Sequence, residues 1–149
     1  MAEVLFYHLQ AQPLDEVLPG LLERSLGRGW RVAVQSGVGD KLSDLDTLLW
    51  SYRDDSFLPH GTSGDEFSDQ QPILLMVEPD NRNAADVRFL IHDAALPDDL
   101  SYERVVLMFD GTDEIAVGNA RQHWKTLKTG DHDLTYWQQN DAGRWEKKA

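Results

Sequence analysis

The sequence predicts an α/β fold of three layers, in which a mainly parallel central sheet lies between two layers of helices. Short apolar runs alternate along the chain with longer segments whose apolar residues recur every three or four positions, as strands and amphipathic helices do. Two of the apolar runs, residues 73–77 and 104–109, contain almost no polar residue, which is typical of central strands covered on both faces. Strands that alternate with helices indicate βαβ units and therefore parallel pairing.

Strands and helices are expected in a largely alternating order. The strands are expected at residues 4–9, 30–35, 72–77, 87–91 and 104–109, and the helices at residues 14–26, 43–50 and 113–128. The first helix begins after Pro13, a residue that suits a first turn, and its apolar stripe contains Pro19, which kinks the helix or delays its start. The last helix has acidic residues in its first turn and lysines in its last turn, which complements the helix dipole.

Two segments fit this alternation less well. Residues 53–71 carry five carboxylates against one arginine, with a proline and two glycines, and predict a long loop. Residues 134–138 are either a last strand or the start of a C-terminal tail within residues 131–149. No linker divides the chain, so we expect residues 1–149 to form a single domain.

Composition excludes several classes of function. The chain of 149 residues has no cysteine, which excludes disulfides, thiolate metal sites and cysteine nucleophiles. Its 14 basic and 26 acidic residues give a net charge of −12, and such a surface repels a phosphate backbone, so strong direct binding of nucleic acid is not expected. No apolar stretch reaches the roughly eighteen residues of a membrane span. We therefore expect a cytoplasmic protein without membrane contact.

Motifs for catalysis and for nucleotide binding are missing from the sequence. The first predicted strand is followed by neither GxGxxG nor GxxxxGK[ST]. Residues 36–41, SGVGDK, lack the glycine before the lysine and the hydroxyl residue after it, so a phosphate cradle there is incomplete. The five histidines are scattered without metal-ligand spacing. We expect no catalytic residue, no metal and no cofactor. The alternative that stays open is an enzyme that binds a nucleotide in the crevice at the strand ends.

Large apolar side chains crowd the end of the second predicted helix and the loop that follows it. They are Trp50, Tyr52, Phe57 and Leu58. In one interpretation they cap the core beneath the loop. In the other they form an apolar surface for a partner, because aromatic side chains supply contact area at a low entropic cost. A third use is a self-interface that also includes Trp145.

The last predicted helix reverses the sign of the overall charge. Arg121, Lys125 and Lys128 lie on one helix face, and residues 115–130 contain no carboxylate. The cations either complement the helix dipole on a solvated face or bind a partner that carries carboxylates, for which arginine supplies a bidentate fork. A separate apolar stripe is expected to pack on the sheet; its members are Val117, Ala120, Trp124 and Leu127.

Four segments together resemble the chi subunit of bacterial DNA polymerase III. They are residues 48–61 (LLWSYRDDSFLPHG), 71–75 (QPILL), 104–110 (RVVLMFD) and 120–125 (ARQHWK). The first of these is the most specific, and the order and spacing of the segments match over residues 6–128. The tail after Gly130 departs from the family pattern.

The resemblance implies a non-catalytic accessory subunit of the polymerase III holoenzyme in DNA replication, with a Rossmann-like fold that lacks the phosphate-binding loop. Chi proteins bind the acidic C-terminal tail of single-stranded DNA-binding protein, which ends in Pro-Phe, and in many bacteria the psi subunit of the clamp loader. The resemblance places Arg121 and Lys125 among the tail-binding residues, with Lys128 and Trp124 beside them. Val117 occupies a position that is basic in the family.

The resemblance also places Trp50 and Phe57 in the aromatic motif of the family. Whether these two residues serve the tail or the psi subunit stays open, as does the role of the aromatic residues after Gly130.

Overall fold

A computed structural model, which describes residues 2–52 and 58–149, contains one sheet of eight strands and three α-helices. The strands are β1 Glu3–Leu9, β2 Val32–Ser36, β3 His60–Thr62, β4 Ile73–Met76, β5 Val87–Ile91, β6 Arg104–Asp110, β7 Asp133–Gln139 and β8 Trp145–Lys147. The helices are α1 Leu14–Gly27, α2 Leu42–Ser51 and α3 Glu114–Lys128. Across the sheet the order is β3-β4-β2-β5-β6-β1-β7-β8, and every neighbouring pair except β7–β8 is parallel.

The helices cover both faces of the sheet, which confirms the predicted three-layer α/β class. Helices α1 and α2 bury their leucine stripes on one face, through Leu18, Leu22, Leu45 and Leu49. Helix α3 buries Ala116, Ala120 and Leu127 on the other face. Side chains alternate between the two faces along each strand, and helices cover both faces. The central strands are therefore buried over most of their length. That burial explains why their sequences are almost entirely apolar.

The predicted strands and helices are present at bounds close to those expected, and two short strands were missed. Helix α1 runs through Pro19 as one helix. Residues 60–62 lie in the segment predicted as a long loop, yet they pair with β4 as the edge strand β3. The chain after Gly130 forms β7 and β8, so the strand alternative holds there and the tail alternative is wrong. Strands β3 and β8 are three residues long and mostly polar, so no apolar pattern marks them.

An arginine is fully buried on the face that α3 shares. Arg88 of β5 is 0% exposed, and its Nε and Nη2 donate to Gln35 Oε1 at 3.0 and 2.6 Å. Nη1 donates to the Asp80 carbonyl oxygen and the Tyr102 hydroxyl, and Nη2 also donates to the Glu78 carbonyl oxygen. All five N–H donors therefore have acceptors. The side chain attaches the loops before and after β5 to the sheet.

We predict that Arg88→Ala lowers the free energy of unfolding by at least about 3 kcal/mol, because it opens a cavity and leaves buried oxygens without donors. Urea denaturation followed by circular dichroism measures the change. The control is Arg82→Ala, which removes the partly exposed ion pairs of Arg82 with Glu78 and Asp80 and costs about 1 kcal/mol or less. Equal losses in the two variants would contradict the structural role of Arg88.

Candidate functional site

Helix α3 presents a strip of cations to solvent. Its N-terminus is capped by Asp113, whose Oδ1 accepts from the backbone N–H of Ile115 at 2.9 Å. Arg121, Lys125 and Lys128 are exposed further along the helix. Among residues 2–52 and 58–149, none of the three has a carboxylate oxygen within 4.0 Å. Their charges are therefore available to an anionic partner.

An aromatic cluster lies beneath this strip. The Trp124 ring packs edge-on against Phe6 at 5.2 Å between centroids and lies 5.9 Å from Tyr136 of β7. The ammonium of Lys128 lies 5.6 Å from the centre of the Trp124 ring, a cation–π distance. Val117 is half-buried and packs against the same cluster. The structure thus brings the apolar and the basic residues of α3 together.

His8 and Tyr136 join this site, although no motif or spacing in the sequence distinguishes them. His8 Nδ1 lies 2.7 Å from the Tyr136 hydroxyl, between residues that are 128 positions apart. Burial and the nearby Arg121 guanidinium lower the pKa of His8, while burial raises the pKa of Tyr136 against the opposing effect of Arg121. The Arg121 guanidinium therefore acts to lower the pKa of both members of the His8–Tyr136 pair. Only the parallel pairing of β1 with β7 brings these residues together.

Trp124 and Tyr136 are half-buried beneath the strip, between α3 and β7. A cavity of about 20 Å³ adjoins the other side of α3, near Ala116, Asn119 and His123. That volume holds about one water molecule.

The second predicted surface lies at the C-terminal end of α2. The side chain of Trp50 is 59% exposed, and its ring centroid lies 4.8 Å from that of His60. His60 is buried, with Nδ1 2.6 Å from the Leu58 carbonyl oxygen and Nε2 3.0 Å from Asp46 Oδ1. The imidazole is therefore held at both nitrogens and supports the exposed indole from below.

The other residues predicted for this surface are less exposed than Trp50 or lie outside the described residues. Leu58 is 2% exposed and belongs to the core beneath α1 and α2, so its assignment to a partner surface is wrong. Its aliphatic side chain fills the space at the end of α2, as the core-capping interpretation expects. Tyr52 is half-buried, and Phe57 lies outside the described residues. Phe67, which no sequence pattern distinguishes, is 56% exposed in the loop after β3.

The crevice at the carboxyl ends of the strands is acidic. It encloses about 370 Å³ between the N-terminal ends of α1 and α3, which lie on opposite faces of the sheet. Its charged lining consists of four aspartates and one lysine, namely Asp15, Asp93, Asp110, Asp113 and Lys41. In α/β sheets such a crevice is the usual place for a nucleotide. Here the carboxylates would repel its phosphates.

The loop after β1 has no N–H groups left for a phosphate. The backbone N–H groups of Gln10, Ala11 and Gln12 all donate to Gln139 Oε1, at 3.3, 3.0 and 3.0 Å. Consecutive N–H groups at this point are what a phosphate-binding loop offers its ligand. The buried amide of Gln139 fills the nest instead. The nucleotide alternative therefore has no phosphate cradle in this loop.

The structure defines a three-layer α/β protein with exposed cations on the α3 side of its sheet and an exposed indole on the side of α1 and α2. Comparison with known proteins identifies the family: residues 1–135 match the family described as DNA polymerase III chi subunit, HolC, and the chain belongs to that family. A relative from Rickettsia prowazekii (strain Madrid E), named "Probable DNA polymerase III subunit chi", is 23% identical over 156 aligned residues, which cover 100% of this chain and 93% of the relative. The resemblance in the sequence is thus confirmed.

Family membership makes the chain an accessory subunit of DNA polymerase III, in DNA replication. Among the described residues, no set of three or more histidine, aspartate or glutamate side chains is arranged to hold a metal ion. No helix within the described ranges has both the length and the apolar character needed to cross a bilayer.

We predict that Arg121→Gln raises the pKa of His8, because the substitution removes a positive charge that opposes protonation of the imidazole. NMR titration of the histidine side-chain resonances measures the change. Lys128→Gln, which removes a charge about two turns further along α3, serves as the control. In this variant we expect the pKa of His8 to equal that of the unsubstituted chain within experimental error. An unchanged His8 in the Arg121 variant would mean that the guanidinium does not face the His8–Tyr136 pair.

Proposed function

We propose that this chain binds the acidic C-terminal tail of single-stranded DNA-binding protein and links it to the clamp loader during replication. One observation carries the proposal: on a protein of net charge −12, three exposed cations without carboxylate partners among the described residues line an aromatic surface. The rest of so acidic a surface repels a tail rich in carboxylates. The strip Arg121–Lys125–Lys128 supplies the local attraction.

The tail would meet two kinds of group on α3. Arg121 offers a bidentate fork to a carboxylate, and the lysines offer point charges to the others. The terminal phenyl ring packs on Trp124 and Tyr136, next to Val117. An apolar side chain at position 117 enlarges the apolar surface at a position where the family has a basic residue, and the third charge comes from Lys128 instead.

The expected affinity is weak. Each exposed charge pair contributes about 1 kcal/mol or less, and burial of the phenyl ring contributes about 2 kcal/mol. Together these contacts amount to about 5 kcal/mol at most, less than the about 8 kcal/mol of a micromolar dissociation constant, so we expect a submillimolar dissociation constant or a weaker one. Because the pairs are exposed, binding weakens as the salt concentration rises.

Association with the clamp loader, through its psi subunit where one is present, is assigned to the surface around Trp50. An indole that is 59% exposed at the end of a helix is an apolar anchor of the kind found in interfaces. Helix α2 lies on one face of the sheet and α3 on the other. Both partners can therefore bind at the same time, which a linking subunit requires.

We predict that a labelled acidic peptide ending in Pro-Phe binds the chain, and that Lys125→Glu weakens this binding at least about tenfold through loss of attraction and added repulsion. Fluorescence anisotropy at two salt concentrations measures both effects. Arg24→Glu is the matched control, since it changes the net charge equally at an exposed position of α1. If both reversals weaken binding to the same extent, the effect is one of net charge and the α3 site is wrong.

For the second surface, we predict that Trp50→Ala weakens association with the clamp loader of the same organism at least about tenfold, while affinity for the peptide stays unchanged. Size-exclusion chromatography of the mixed subunits, followed by titration, measures the association. Phe67→Ala removes another exposed aromatic ring and serves as the control. Retained association in the Trp50 variant would reassign the clamp-loader interface.

A further inference from the structure

A second cationic region lies on the opposite face of the sheet, beside the C-terminal end of α1. A cavity of about 430 Å³ opens there between α1 and strands β1, β5 and β6. Its floor is apolar and is formed by Leu5, Val87, Phe89 and Val106. Its charged lining consists of Arg24, Arg28 and Arg104. Three arginines around one apolar cavity are unexpected on a chain with a net charge of −12.

Two of these guanidinium groups flank an indole. The guanidinium carbons of Arg28 and Arg104 lie 4.9 and 5.2 Å from the centre of the Trp30 ring. The Nε of Arg104 is 2.7 Å from Glu3 Oε1, so this guanidinium is partly neutralised. Arg24 and Arg28 have no carboxylate oxygen within 4.0 Å in the part of the chain that the structure describes. Two of the three charges are therefore available.

The cavity continues toward the β8 edge of the sheet. An adjoining cavity of about 160 Å³ shares Tyr7, Leu21 and Arg24 with the first and reaches Trp137 and Trp145. The rings of Tyr7 and Trp145 meet edge to face at 5.0 Å. We call the two cavities together the aromatic–arginine groove. It runs from Trp30 across Tyr7 to the two tryptophans.

The balance of charge along the groove is positive. Lys147 of β8 pairs with Trp137 across the strands, so it lies on the same face and adds a fourth cation. Among the described residues, no carboxylate lines either cavity. The strand carboxylates on this face are Glu3, which pairs with Arg104, and its register partner Asp133, and both lie at the β1 end away from Trp145. Helix α1 adds Glu23, the residue before Arg24. A ligand in the groove therefore meets a local field opposite in sign to that of the whole protein.

Aromatic rings with guanidinium groups beside them fit a ligand in which flat bases alternate with phosphates. Bases stack on tryptophan and tyrosine without regard to sequence, and phosphates pair with arginine. We propose that the aromatic–arginine groove binds a short segment of single-stranded nucleic acid. A duplex does not fit this chemistry, because its bases are already stacked on one another. This inference is independent of the tail-binding function assigned to α3.

The test measures binding of a labelled oligothymidylate of about 15 nucleotides to the full chain by fluorescence anisotropy, over a series of salt concentrations. Arg24, Arg28 and Lys147 have no carboxylate partner within residues 2–52 and 58–149. With these three cations, the logarithm of the affinity is expected to fall with the logarithm of salt at a slope of about −2. Arg24→Glu is expected to weaken binding at least about tenfold. Trp137→Leu is expected to weaken it about fivefold or more through lost stacking.

The matched control is Lys125→Glu on α3, which changes the net charge by the same amount and is expected to leave oligonucleotide affinity within about twofold. With the acidic peptide the roles are opposite: Lys125→Glu is expected to weaken binding and Arg24→Glu is the control. A result that contradicts the tail site can therefore be distinguished from one that contradicts the groove. Circular dichroism verifies folding, and Arg28→Glu replaces any Arg24 variant that does not fold.

Three results would overturn the proposal. If Arg24→Glu and Lys125→Glu weakened oligonucleotide binding equally, the loss of affinity would be an effect of net charge and not of the groove. Thymidine monophosphate that competes as well as the oligonucleotide would make the ligand a mononucleotide rather than a strand. Absence of binding at low salt would remove the site altogether. A preference for the single strand over a duplex of the same length, lost in the Arg24 and Trp137 variants, would support it.

Discussion

Parallel pairing of β1 with β7 is the interaction on which both cationic regions depend. It joins the first strand of the chain to a strand more than a hundred residues later, in the register Phe6↔Tyr136 and Tyr7↔Trp137. The pairing sets Tyr136 beneath Trp124 of α3, and it places Gln139 where its amide meets the loop after β1. Without it the aromatic cluster beneath the cation strip would lack Tyr136, and the loop would lack the Gln139 acceptor.

Strand β7 contributes side chains to both faces of the sheet, because successive side chains along a strand point to opposite faces. Tyr136 points to the layer of α3, whereas Trp137 lines the groove beside α1. The two proposed binding regions are therefore back to back across one layer of sheet. A slip of one residue in the β1–β7 register would exchange these side chains between the faces and dismantle both regions together. That coupling explains why a segment with little apolar pattern can still be held in one register: the Gln139 amide and the His8–Tyr136 hydrogen bond fix it at both faces.

Much of the fold could be predicted from the sequence, because apolar runs and helical stripes report burial directly. The cations of α3 could also be predicted, since their spacing within one helix determines their common face. Arg88, Gln139 and His8 could not, because their roles depend on partners far away in the chain: Gln35, the loop after β1 and Tyr136. The burial of Leu58 could not be decided between the two interpretations, because an aliphatic residue near exposed aromatics has the same local pattern whether it faces the core or a partner.

In both proposed functions, local reversal of charge is what would let so acidic a protein select anionic partners. The overall negative charge opposes nonspecific contact with nucleic acid and with acidic proteins alike. Only a ligand that fits the geometry of a cationic patch gains more from short-range pairing and ring contact than it loses to long-range repulsion. Since the Debye length is about 8 Å at physiological salt, the repulsion is strongly screened, whereas contacts made at van der Waals distance on Trp124 or Tyr7 are not. Aromatic rings beside each set of cations are therefore what makes attraction possible at the salt concentrations where long-range charge effects fade.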